Sequence, residues 1–161
     1  MAADYLLEID GIKGESTQTN YEGTIEILSF SWGISNTGAA AMGTGMGSSK
    51  ANIHDFSFMI YAGISSPKLM LACATGKHIP KAILHCRKAG GGEEGGEEYY
   101  TWEFTDVFIS SYQVSGGGEV PTESCSFNCT KVEQVYKPQA QEGTTSDNIR
   151  ASYDVKTGKS A

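Results

Sequence analysis

Apolar residues along this chain recur mostly at every second position, the period of a strand. Residues 4–10 alternate weakly and stop at Asp10-Gly11, a turn signal. In 24–34, Ile25 and Ile27 hold one phase, and Leu28, Phe30, Trp32 and Ile34 hold the other. This predicts a half-buried strand, and the phase change at Ile27-Leu28 predicts a bulge or a corner where the strand changes sheets. Residues 35–51 are rich in Gly, Ala and Ser and read as one long loop. Residues 52–61 resume a strand with Phe56, Phe58 and Ile60 on one face. A single helix follows: Ser65 or Ser66 caps it, Pro67 occupies its first turn, Leu69, Met70, Ala72 and Cys73 form its buried stripe, and Gly76 ends it before Pro80. Residues 81–87 are a strand, 89–98 a Gly/Glu loop, and 99–114 a long strand. In the last, Tyr100, Trp102 and Phe104 share a face until the phase shifts near Thr105-Asp106. After Gly116-Gly117-Gly118, residues 120–136 read as one last long strand. Cys125, Phe127 and Cys129 point one way there, and Ser124, Ser126, Asn128 and Thr130 the other. A short strand is expected around 149–155 in an otherwise polar tail.

Several long, bent strands, one helix and one long loop make the fold mainly β, a closed or nearly closed barrel or a sandwich. The 161 residues show no internal repeat and form one domain, 1–161, whose polar tail starts at about 140. A chain of this size buries roughly 68–70% of its unfolded surface and needs no staples. Its net charge of -7 and its lack of a Lys/Arg cluster argue against nucleic acid and anionic membranes as partners. The N-terminus has neither the basic nor the apolar stretch of a classical signal peptide. No apolar run approaches the ~20 residues a membrane helix needs. The expectation is synthesis and folding in the cytoplasm, with any export by a route that reads no N-terminal signal. Cys73, Cys86, Cys125 and Cys129 form no C-x-x-C pair and read as small reduced core residues.

Several catalytic signatures occur by letter only. Ser65-x-x-Lys68, Ser146-Asp147-Asn148 and Lys156-Thr157-Gly158 match the three motifs of penicillin-binding enzymes. The last two fall a few residues apart in a polar tail, where nothing fixes a nucleophile's geometry. The Ser65–Lys68 pair is better read as a helix start with a solvated lysine. Gly43-x-Gly45-x-Gly47 with Lys50 lacks phosphate-loop spacing and precedes a strand, so no helix N-terminus is offered to a phosphate. Cys125 and Cys129, with His54, His78 and His85 scattered, fit core packing better than zinc. Glu93, Glu94, Glu97 and Glu98 in a glycine loop match no EF-hand spacing. No catalytic residue, metal or cofactor is expected.

A series of short strings, in order, resembles the haemolysin-coregulated protein (Hcp) family, the tube subunit of bacterial type VI secretion. They are Lys13-Gly14-Glu15-Ser16, Ser31-Trp32-Gly33, the Gly/Met/Ser loop at 38–49, and Asp55-Phe56-Ser57-Phe58. Next come Ser66-Pro67-x-Leu69-x-x-Ala72 running to Gly76-Lys77-His78, then Arg87-Lys88-Ala89-Gly90-Gly91, and Tyr136-x-Pro138-Gln139. The match covers roughly 4–139, almost the whole sequence, so no fused toxin domain is expected at the C-terminus. Met59-Ile60 and Ala62-Gly63 stand where the family usually has a lysine and later an acidic residue, which alters inter-subunit ion pairs and effector preference rather than the fold.

The resemblance implies a β-barrel of two antiparallel sheets with one flanking α-helix and a long extended loop. It implies a homohexameric ring that stacks head-to-tail inside a contractile sheath under a spike protein. The ring would be exported without a signal peptide and would carry and chaperone small effectors in its lumen. A wall with one face on its core and the other on a watery channel carries small polar residues on the second face. Ser29, Ser31, Ser124, Ser126 and Asn128 are accordingly the candidate lumen or effector contacts, although an ordinary solvent-facing row has the same pattern. Gly38, Met42, Gly45, Met46, Ser48 and Lys50 are the candidate ring-stacking loop, since a heterologous contact propagates into a filament; a plainly disordered loop has the same composition. Two other classes stay open at this stage: a tail-tube protein of a phage or other contractile injection device, and a small secreted serine-nucleophile enzyme or toxin.

Overall fold

The computed structural model describes residues 4–36, 51–88, 97–138 and 148–161. In chain order the elements are β1 (Asp4–Ile9), β2 (Ile25–Glu26), β3 (Ser29–Ser31), β4 (Ile34–Asn36), β5 (Ala51–Ile53) and β6 (Phe56–Tyr61). They continue with the helix α1 (Ser66–Thr75), β7 (Ile79–Arg87), β8 (Glu98–Ser115), β9 (Thr122–Asn128), β10 (Lys131–Tyr136), β11 (Ile149–Asp154) and β12 (Lys159–Ser160).

All pairings are antiparallel. One ladder runs β12-β11-β10-β8-β7-β1-β2, and β3-β6-β9 joins it through β8. The 18-residue β8 belongs to both halves: it pairs with β7 and β10 up to Val107, and with β9 from Phe108 onward. The handover falls at Asp106, whose φ of 55° turns the strand, where the alternation predicts a phase shift. The other corner is Ile27-Leu28. The Ile27 N–H donates to the Tyr5 carbonyl at 3.0 Å, and the next N–H, of Leu28, donates to the Met59 carbonyl at 2.7 Å. Consecutive residues thus serve opposite sheets, as the phase change there predicts. Single hydrogen bonds carry this crossing, so the sheets wrap the core without closing into a continuous barrel ladder.

An L-residue at positive φ costs about 1–2 kcal/mol unless its side chain is short and polar. Asp106→Gly is therefore expected to leave stability within about 0.5 kcal/mol, whereas Asp106→Val costs about 1–2 kcal/mol. Urea unfolding of the two variants checks this, and equal losses would remove the corner from Asp106.

The core lies between the sheets. Leu7, Leu84 and Phe104 enter from one side, Phe58 and Phe127 from the other, and Leu69 and Ala72 from α1. Phe56 stacks on Phe127 with centroids 4.9 Å apart, and Phe104 meets Phe127 edge-on at 5.0 Å. Aromatic pairs in these geometries add about 0.5–1.5 kcal/mol beyond their area.

Three local expectations are corrected. Residues 35–51 are not loop throughout: Ser35 and Asn36 pair with Asn52 and Ala51, so β4 and β5 make a ribbon at the segment's base. Residues 120–136 are not one strand. The chain turns at Cys129-Thr130, which sends β9 to one sheet and β10 to the other. Met70 is not in the buried stripe of α1 but is 52% exposed, and Cys73 is half-buried. Leu69 and Ala72, three apart, share the inward face, and each step along a helix turns about 100°, which carries Met70 out. The helix ends as expected, with Gly76 left-handed at φ 64°. Ser65 is its N-cap but makes no side-chain capping bond.

Candidate functional site

Four strands bring a small polar face together. Reading across β3, β6, β9 and β8, one row is Ser31, Ser57, Ser126, Ser111, and the next is Ser29, Met59, Ser124, Gln113. The intervening rows, such as Phe56–Phe127–Ile109, point into the core. Period-2 alternation alone produces this division. Ser57 faces outward because Phe56 and Phe58 on either side are both buried, a signal legible in the sequence.

Of the five residues the sequence proposes for this face, Ser29, Ser31 and Ser124 are exposed and Asn128 is half-buried. Ser126 is covered, with 9% of its surface accessible. Its hydroxyl bonds to those of Ser111 at 2.6 Å and Ser110 at 2.8 Å. Ser110 is the residue at which the β8–β9 register shifts, so the bulge supplies two hydroxyls where a regular strand has one. Asp55 ends the network, accepting from Ser110 Oγ at 2.6 Å and from Asn128 Nδ2 at 2.7 Å. The face is thus a tied hydroxyl and amide surface with Asp55 at its border. Gly38, Met42, Gly45, Met46, Ser48 and Lys50, the candidate stacking loop, lie outside the described residues.

Ser65 is buried. Its neighbour Ser66 donates its hydroxyl to the Glu123 carboxylate, at 2.8 Å to Oε1 and 2.7 Å to Oε2. Ser146 and Asp147 lie outside the described residues. The four cysteines are free thiols, and burial pushes those of Cys86, Cys125 and Cys129 up to about 12, which makes them poor nucleophiles. Among the described residues, no group of three or more His, Cys, Asp or Glu is placed to hold a metal ion, and no helix is long and apolar enough to cross a membrane.

Residues 6–136 match the family model described as type VI secretion system effector, Hcp. The chain belongs to the Hcp family. It is 41% identical over 145 residues to protein hcp1 of Pseudomonas aeruginosa, which covers 89% of this chain and 88% of that protein. Among solved structures it resembles Hcp1 from Salmonella typhimurium, with TM-score 0.79, 34% identity and full coverage of both chains. It also resembles a type VI secretion system effector from Yersinia pestis, with TM-score 0.77, 33% identity, and coverage of 94% of this chain and all of that one. Membership of this family makes the chain a type VI secretion protein and not an enzyme, so the serine-enzyme class left open by sequence is set aside.

Proposed function

We propose that this Hcp protein forms homohexameric rings that stack head-to-tail into the inner tube of a type VI secretion machine. It works under a spike protein and inside a contractile sheath, leaves the cell with the fired tube, and carries small effectors in the ring lumen. The observation that supports this best is the polar face of β3, β6, β9 and β8. A sheet whose one side is core and whose other side is hydroxyl and amide around a single exposed methionine, Met59, suits a wall facing a watery channel. Ser29, Ser31 and Ser124 offer exposed hydroxyls to a cargo, and Ser126 and Asn128 tie that surface together through Ser110, Ser111 and Asp55. The segment from Gly38 to Lys50, with Met42, Gly45, Met46 and Ser48, is assigned the ring-to-ring contact, since head-to-tail stacking is a heterologous contact that propagates into a filament.

Native mass spectrometry tests the first step. The expected species has six times the mass of the 17.2 kDa chain. A chain that stays monomeric at micromolar concentration would remove the ring and, with it, the lumen.

A further inference from the structure

A second polar cluster, on the outer side of β1, β7 and β8, has no role in the ring reading. We propose that His85 is the pin of a proton-operated clasp that holds residues 13–24 down on the sheet, closed when the imidazole is charged and loosened when it is neutral.

The imidazole reaches out from β7 between two carboxylates on neighbouring strands. Its Nδ1 lies 2.8 Å from Glu98 Oε2 on β8, and its Nε2 lies 3.3 Å from Glu8 Oε2 on β1. Each contact needs an N–H, and only the imidazolium has two. A neutral ring must turn a lone pair toward one of the carboxylates.

Glu98 Oε2 also accepts the Tyr21 hydroxyl at 2.7 Å, so whatever sets that oxygen's position also sets the anchor of the 13–24 segment. Tyr21 meets the His85 ring edge-on at 5.2 Å. The segment is folded on itself: Gly14 N–H donates to the Gly23 carbonyl at 2.8 Å, and Gly23 N–H to the Ser16 carbonyl at 2.9 Å. It therefore moves on its anchor as a unit. Under it, Leu6 and Arg87 are 0% and 2% exposed, and the Arg87 guanidinium lies 4.5 Å over the Tyr21 ring and contacts Gln18 Oε1.

Lys137, after β10, reaches Glu98 Oε1 at 3.5 Å, and Asp10, Lys13 and Glu22 line the cleft in front of the imidazole.

The titration runs in the direction the clasp needs. Burial lowers the His85 affinity for a proton, and the bonds to Glu98 and Glu8 outweigh it and raise the value above the ordinary 6.5. The stabilisation is therefore complete below about 6.5 and is lost as pH rises through the raised value. Burial would raise Glu98, but hydrogen bonds from His85 and Tyr21 hold it at about 2. It stays charged across the whole range in which His85 switches.

Hydrogen exchange of the intact protein, corrected for intrinsic rates, tests this between about pH 5 and pH 8, the range in which an imidazole titrates. Protection of the 13–24 peptide is expected to fall about fivefold with rising pH, while that of β9 stays constant. His85→Gln is expected to give low protection at every pH. Glu8→Gln, at a side chain 53% exposed, removes one partner without disturbing the fold and is expected to move the transition to lower pH. Flat protection in the wild type, or an unshifted transition in Glu8→Gln, overturns the clasp. The clasp lies within one chain and does not rest on the ring, so native mass measured on the same samples separates its failure from loss of the hexamer.

Discussion

Glu123→Ala is expected to destabilise the protein by about 3 kcal/mol, a fall in melting temperature of about 10 °C for a chain of this length. The carboxylate is 0% exposed and lies at the first residue of α1. It takes the Ser66 hydroxyl on both oxygens and the Tyr112 hydroxyl on Oε2 at 3.0 Å. Ser66 Oγ in turn accepts the Gly63 N–H at 3.0 Å, just before the helix. Hydrogen bonds to a charged group contribute about 1.5–3 kcal/mol, and a negative group at a helix N-terminus adds a few tenths to 1 kcal/mol. Alanine forfeits these and leaves two partly buried hydroxyls, those of Ser66 and Tyr112, without their acceptor. Glu123→Gln keeps the shape and one carbonyl acceptor, so it should cost about 1 kcal/mol. Thermal melts at one fixed protein concentration, needed because ring formation would make the melting temperature depend on concentration, compare the two. If alanine costs no more than glutamine, the carboxylate does not pin α1 to β9.

Glu123 also shows where the sequence could be read further. It shares the phase of Cys125 and Phe127, so alternation places it inward, and a charged residue on an inward face implies donors waiting for it. The donors themselves, Ser66 and Tyr112, are 57 and 11 residues away, and no local pattern names them. The corners at Ile27-Leu28 and Asp106 were legible because a change of sheet reverses which parity is buried, and apolar residues record parity directly. The break at Cys129-Thr130 was not, because Cys129 continues the buried phase of β9 and the turn leaves no glycine or proline behind. Met70 was misplaced because a helix with several apolar residues in a row offers more than one stripe, and only the sheet beneath selects one. The polar face was half legible: Ser29, Ser31 and Ser124 follow from alternation, whereas the ties of Ser126 and Asn128 to Ser110, Ser111 and Asp55 depend on a bulge and on strand order. The His85 cluster draws on β1, β7, β8 and the 13–24 segment, so a single sequence shows only an isolated histidine.

The larger loss is expected from Phe127→Ala, about 4 kcal/mol. Phe127 is 0% exposed and joins the two halves of the core: Phe56 and Phe58 lie beside it on β6, and Phe104 meets it from the first half of β8. Deleting the ring removes its transfer free energy, its aromatic contacts and the atoms that keep the sheets apart, and relaxation around a rigid ladder fills the void only in part. Phe127→Leu retains most of the volume and should cost about 1–1.5 kcal/mol. Denaturant unfolding with an unchanged slope would assign both losses to the native state. The gap between the two variants is the informative quantity. If it is large, the sheets are held at a fixed spacing, and the polar rows on the far side of β6 and β9 inherit that rigidity. If leucine and alanine cost the same, the core collapses around either, the spacing is soft, and a channel wall built on it could not present Ser29, Ser31 and Ser124 as one fixed surface.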